Sequence, residues 1–177
     1  MSIQDETDTA GLQVYGDPDN EPAVGTPEHA LWLVHWHVAY EEENQLEQLA
    51  RLYADDIVWE IHFPFDTPRF EGKEGVLNNY RGLLSVIPDL GGPLLRCYAT
   101  ADSVFLDQLV SYTTVIPPGA PKEGLLASDM LPEGRTMHGH LLHDFKIRDG
   151  LIAEEIAFFV PEKITDPTSW VRARPPR

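Results

Sequence analysis

Apolar residues occupy most positions of the segment Ala30–Tyr40, ALWLVHWHVAY. A helix apolar around so much of its circumference is buried on more than one side. Its start is marked by Thr26 as N-cap, Pro27 at the first helical position and Glu28 in the first turn, where the helix dipole favours an acid. The polar run Glu41–Glu43 then reads as a solvated face. Leu46, Leu49, Ala50, Leu52 and Tyr53 recur at helical spacing and predict a second, shorter helix, ended by Ala54-Asp55-Asp56. There the period changes. Ile57–Phe63 (IVWEIHF) is β-branched and aromatic, which predicts a strand. Pro64–Glu71 reads as a turn-rich loop. Gly72–Ile87 predicts a third helix with Val76, Tyr80, Leu83, Leu84 and Ile87 on one face, closed by Pro88.

The remainder reads as strand. Leu94–Thr100 is one strand and Ser103–Ile116 a second, longer one. Arg135–Arg148 and Leu151–Val160 form a hairpin around Asp149-Gly150, a dipeptide suited to a two-residue turn. The intervening segment 117–134, with Leu125, Leu126, Met130 and Leu131, is too long for an ordinary hairpin loop and reads as a lid or a subunit contact. Helices segregated from an antiparallel set of strands mean an α+β domain. Residues 1–25 carry six acidic residues and no Lys or Arg and read as a flexible acidic arm; 26–165 make the domain, and 166–177 a C-terminal tail.

Length fits one domain, and 42% hydrophobic residues suffice for one core. The net charge of −16 disfavours a phosphate-backbone or anionic-membrane partner, since both need clustered Lys and Arg. No apolar stretch is long enough to span a membrane. The single cysteine, Cys97, cannot make an internal disulfide, and the acidic N-terminus is unlike a signal peptide, so the expected location is cytoplasmic.

The segments TPEHALWLVHWHVAY, LARLYADDIVWE, PRFEGKEGVLNNYR and HLLHDFKIRDGLIAEEIAFF, in that order, resemble the nuclear-transport-factor-2-like (NTF2-like) superfamily, in its SnoaL-like and ketosteroid-isomerase-like branch. The resemblance implies a cone-shaped, curved mixed β-sheet wrapped around three N-terminal helices, enclosing an apolar pocket, and a homodimer through the outer sheet face. The outward-facing His138, His140, Leu142, Ile156 and Phe158 fit such a contact. Isomerase-like members use a helix Tyr, a strand Asp and a late protonated Asp. The matching positions here are His37, Phe63 (or Ile61 in a gapless strand) and His143, and none carries the family residue. Steroid isomerisation by that mechanism is therefore disfavoured, while the positions still indicate which side chains face the cavity.

Strand alternation then sorts the chemistry. With His143 inward, Leu141 and Phe145 follow; on the partner strand the resemblance implies that Glu155, Ala157 and Phe159 turn inward. His143 and Glu155 make a candidate acid–base pair in an apolar cavity. His37, with Tyr40 one turn on, is a candidate for holding a substrate oxygen. Trp59, Ile61, Phe63, Phe145, Ala157 and Phe159 are the candidate substrate-binding wall, with His62 on the opposite parity. His138-x-His140 with His143 invites a metal reading, disfavoured because His143 falls on the other face of a regular strand and the helical first half is not cupin-like. No Gly-rich phosphate loop precedes a helix and no G-x-S-x-G occurs. The expectation is a cofactor-free enzyme acting on a small, hydrophobic, carbonyl-bearing and cyclic molecule by isomerisation, cyclisation or dehydration. The alternative is a non-catalytic module that binds a hydrophobic ligand or a second copy.

Overall fold

In the computed structural model of the chain, residues 19–62, 67–115 and 136–161 are described. The lid or subunit-contact segment 117–134, Phe63, the tail and most of the acidic arm lie outside them. Three helices precede most of the sheet: α1 (Pro27–Glu42), α2 (Leu46–Arg51) and α3 (Lys73–Val86). Six strands, β1 (Tyr53–His62), β2 (Arg69–Glu71), β3 (Leu94–Ala99), β4 (Ser103–Thr113), β5 (Thr136–Arg148) and β6 (Leu151–Pro161), form one sheet in the order β2-β1-β6-β5-β4-β3. Only β1 and β6 run parallel, so the sheet is mixed; it is curved, does not close into a barrel, and holds the helices on its inner face. α3 lies against β1 and β2, and α1 against β3, β4 and β6.

Local chemistry accounts for most boundaries. The Thr26 side chain accepts a hydrogen bond from the His29 N–H, and Pro27 starts α1. At the other end of α1, Glu42 Oε1 accepts from the Gly92 N–H and from Gln108 Nε2, both at 3.0 Å, which ties the helix to β4. Gly92 itself lies so close to β4 that a Cβ there would sit 1.8 Å from the Leu109 carbonyl oxygen. Asp149 (φ 53°) and Gly150 (φ 78°) make the two-residue turn of the β5–β6 hairpin with two left-handed residues, as a type I′ turn requires. Val24 packs against the Gly150 turn and Glu21 Oε1 lies 2.9 Å from His29 Nε2, so residues 19–25 lie along α1 and the hairpin.

Three sequence expectations need correction. The first strand begins at Tyr53, and Ala54-Asp55-Asp56 belong to it instead of ending a helix. Tyr53 pairs with Ile152, and the Leu52 carbonyl accepts from the Ile152 N–H at 2.8 Å, so a long-range ladder overrides the local helical spacing. Within the expected loop Pro64–Glu71, Arg69–Glu71 pairs antiparallel with β1, and Phe70 packs across on Trp59 at 5.7 Å. The run Glu41–Glu43 is not one solvated face: Glu41 is buried against the inner cluster and Glu42 is tied to Gly92.

Candidate functional site

The inner face of the sheet brings together ionisable groups from five elements. Glu155 comes from β6, His143 from β5, His37 and Glu41 from α1, Tyr53 from β1 and Tyr80 from α3. All are buried. A one-residue bulge at Ala153 makes this possible. Lys146 pairs with Glu154 but Ile147 with Ile152, so the extra residue reverses the parity of β6 and lets Ile152 and Glu155 both face inward. Glu155 then lies between Trp59 and Phe145 on the neighbouring strands, and His143 between Leu106 and Ala157.

His143 Nδ1 lies 3.0 Å from Glu155 Oε1, and Tyr80 donates its O–H to Glu155 Oε2 at 3.2 Å. His37 Nδ1 is 3.0 Å from the Tyr53 hydroxyl, while its Nε2 faces Glu155 Oε2 at 3.5 Å and Glu41 Oε2 at 3.7 Å. Phe145 stacks on the His143 ring at 5.3 Å and meets the edge of His37 at 5.1 Å. The aromatic groups displace water, which strengthens every charge interaction inside.

These environments split the protonation states. Burial holds the His37 imidazole down at about 4, against the opposing charge of Glu155, with His143 pushing it further down. His37 is therefore neutral at neutral pH. Its Nε2, facing carboxyl oxygens, keeps the proton, and Tyr53 O–H donates to Nδ1. Burial pushes the Glu155 carboxyl up, but His37 and His143, with the His143 hydrogen bond, outweigh it and leave the group below its ordinary value. Burial, reinforced by the carboxyls of Glu155 and Glu41, pushes both Tyr53 and Tyr80 well above the ordinary phenol value, so both remain O–H donors. An ionised carboxylate only accepts, so His143 donates Nδ1–H to Glu155. Its Nε2 is buried and has no hydrogen-bond partner among the described residues.

The expected inward positions Trp59, Ile61, Leu141, Phe145, Ala157 and Phe159 are all buried on this face, and His62 is on the other, stacked on Phe158 at 4.5 Å. Tyr40 does not join His37. Three residues of helix rotate it about 60° away from His37, whereas the fourth residue, Glu41, returns to within about 40°. Tyr40 lies half-buried against Trp36 instead, at 5.3 Å. Sequence reasoning thus missed Glu41, Tyr53 and Tyr80. For Glu41 the signal was available, as the i+4 partner of an inward histidine. For Tyr80 the helical face was correct but nothing in the spacing marked its hydroxyl as a partner. Cys97, pushed up to about 11 by burial, stays a thiol.

The outer face carries a second acid–imidazole pair. Asp107 on β4 accepts from Arg96 Nε (3.0 Å) and Nη2 (2.6 Å), and its Oδ1 lies 2.8 Å from His140 Nδ1. Nearby, Lys146 holds Asp144, and Arg69 and His62 hold Glu60. Among the described residues no three His, Cys, Asp or Glu side chains converge on a position for a metal ion, and no helix is long and apolar enough to cross a membrane.

No curated protein matches the chain. Solved structures similar to it include an NTF2-like protein from Burkholderia xenovorans LB400, at 13% identity and TM-score 0.60, covering 85% of this chain and 98% of that one. A protein with a ketosteroid isomerase-like fold from Catenulispora acidiphila DSM 44928 matches at 15% identity and TM-score 0.53, over 71% of this chain and 82% of that one. An LEH-like epoxide hydrolase from M. tuberculosis matches at 14% identity and TM-score 0.55, over 81% of this chain and 87% of that one. At these identities the likeness is one of fold, the NTF2-like α+β cone. Residues 33–155, more than half of the chain, match the family model described as SnoaL-like domain. The chain belongs to the SnoaL-like family within the NTF2-like superfamily.

Proposed function

We propose that the protein is a cofactor-free acid–base enzyme of small-molecule metabolism. Its substrate is a hydrophobic, carbonyl-bearing, cyclic compound, and its reaction an isomerisation, cyclisation or dehydration that begins with removal of a proton beside the carbonyl. The observation that carries this reading is the buried contact of His143 Nδ1 with Glu155 Oε1, which leaves His143 Nε2 without a partner among the described residues. Glu155 fixes the imidazole tautomer and stabilises the imidazolium that forms. His143 Nε2 takes the proton, and the electron pair moves to the carbonyl oxygen. His37 Nε2–H is the donor that holds this oxygen. Trp59, Ile61, Phe145, Ala157 and Phe159 supply the apolar wall. A cytoplasmic place of action belongs to the same reading, supported by the single, unreactive cysteine.

The test uses a hydrophobic cyclic ketone, 2-tetralone, in deuterated buffer, with loss of the α-proton signal followed by NMR. The wild type accelerates exchange over buffer. His143→Ala and Glu155→Gln each lose about 10²–10⁴-fold, with circular dichroism showing that they fold. Exchange no faster than buffer identifies a non-catalytic binding module and ends the enzymatic reading; so do unchanged rates in both variants.

The same reading includes a homodimer through the outer sheet face. Tyr98 (65% exposed), Phe105, Phe158 and Val160 project there, and three of its carboxylates, Glu60, Asp107 and Asp144, are paired with Arg69, Arg96 and Lys146. In a chain of net charge −16, an apolar face with much of its charge paired is where two copies meet with least repulsion. Sedimentation gives a dimer for the wild type and a monomer for Phe158→Glu; a monomeric wild type rejects the contact.

A further inference from the structure

Glu41 is an acidic member of the inner cluster that the chemistry above leaves unused. It sits in the last turn of α1, one turn beyond His37, with its side chain 9% exposed. Its Oε2 lies 3.7 Å from His37 Nε2, the nitrogen that also faces Glu155 Oε2 at 3.5 Å. Two carboxyls therefore face one imidazole N–H, in unequal surroundings. Glu155 accepts from His143 and Tyr80, whereas Glu41 accepts no side-chain hydrogen bond among the described residues.

Among the described residues, the charges that act on Glu41 are carboxylates, and none is a cation. From β6 it faces the Glu155 carboxylate, from its own helix Glu42 and the neutral His37, and from β1 and α3 the uncharged phenols of Tyr53 and Tyr80. The end of a helix is also the negative end of its dipole. Burial first, and then the charges of Glu155 and Glu42, push the Glu41 carboxyl well above the ordinary carboxylate range. Two carboxyls at one site seldom both ionise, and here the donors select Glu155 as the anion.

We propose that Glu41 works as a neutral carboxylic acid whose O–H, beside His37 Nε2–H, holds the oxygen of the substrate carbonyl. This rests on the acid–base reading above and narrows its substrate class. The proton leaves the α-carbon for His143 Nε2, the C–H electron pair becomes the enolate, and the negative oxygen meets two neutral donors. Glu155, already negative, repels a ligand that arrives as a carboxylate or phosphate. The substrate is therefore an uncharged ketone or aldehyde at the reacting end, negative only after the proton has left.

Two measurements test this. Infrared difference spectra of wild type against Glu41→Gln at neutral pH show a protonated-carboxyl stretch that the substitution removes. A band missing from the wild type, or kept in the variant, overturns the proposal without touching the roles of His143 and Glu155. In the 2-tetralone exchange assay, Glu41→Ala slows exchange about 100-fold, and Glu41→Gln, which keeps an N–H donor, exchanges faster than Glu41→Ala. Wild-type exchange falls as rising pH bleaches the infrared band, and Glu41→Gln lacks that fall. An alanine variant as fast as wild type overturns the proposal, as does an alkaline fall that survives in Glu41→Gln. Wild-type exchange no faster than buffer sinks the catalytic reading itself and the oxygen-holding role with it, whatever the spectrum shows.

Discussion

The two faces of the sheet carry the same chemical pair in different company. On the inner face Glu155 Oε1 lies 3.0 Å from His143 Nδ1; on the outer face Asp107 Oδ1 lies 2.8 Å from His140 Nδ1. Both carboxylates are sealed from solvent. The outer one has a permanent cation: the Arg96 fork grips it from a side chain that remains 63% exposed. Burial pushes the Asp107 carboxyl up, but the hydrogen bonds and charges of His140 and Arg96 prevail and hold it below the ordinary value. The inner carboxylate is surrounded by imidazoles, phenols and a second carboxyl, all of which gain or lose charge only by moving a proton. A carboxylate locked to guanidinium fixes two strands. A carboxylate whose partners are protonic groups can take part in chemistry, and its worth changes with pH.

The largest consequence concerns stability. Glu155→Ala strands His143 and His37 in the interior with their partner gone and removes the acceptor of Tyr80, so it costs about 3–5 kcal/mol, the usual result of breaking a buried pair from one side. Asp107→Ala releases Arg96 and His140, both of which already reach solvent and can turn to water, and costs about 1 kcal/mol. Urea unfolding of the two variants at neutral pH measures the difference. Equal losses would remove the distinction between the faces.

Much of this contrast was legible in the sequence. The alternation of HLLHDF, together with the resemblance that turns Glu155 inward on the strand beyond Asp149-Gly150, placed His143 and Glu155 on one face, and they touch. Period-two patterning transmits well because a strand pairs with its hairpin neighbour and the turn fixes the register. The parity of Glu155 came from the resemblance, because the bulge at Ala153 that sets it has no local marker. Tyr53 was misread for a related reason: its apolar spacing continued a helix, and only the distant Ile152 recruits it to a strand. Glu41 was lost in a run of three acids whose burial differs residue by residue, since α1 turns each toward a different neighbour. Asp107 as a sealed outer-face carboxylate had no signal either, because Arg96 and His140 come from two other strands.

The smaller effect, and the one that separates the faces without removing a buried carboxylate, is the acid dependence of stability. His37 binds a proton at about 4 when folded, against 6.5 as its ordinary value, so over that interval the unfolded chain holds the extra proton. The His37 contribution to stability then falls as pH drops from 6.5 toward 4, by about 3 kcal/mol at about 1.4 kcal/mol per unit. Glu155, lowered in the fold, loses its contribution as pH falls through its own folded value, below the ordinary carboxylate range. Glu41, raised in the fold, acts in the opposite sense: its contribution is present in acid and is lost as pH rises through its folded value. On the outer face Arg96 stays charged and Asp107 is held below the ordinary range, so neither changes charge over this interval. Relative to His37→Gln, which has no imidazole to charge, the urea midpoints of wild type and of Arg96→Ala therefore both fall from neutral pH toward pH 4, a comparison in which the opposing Glu41 contribution cancels. A fall relative to His37→Gln that is absent in wild type, or that vanishes in Arg96→Ala, would place the proton-dependent pair on the outer face and reverse the assignment of roles to the two faces.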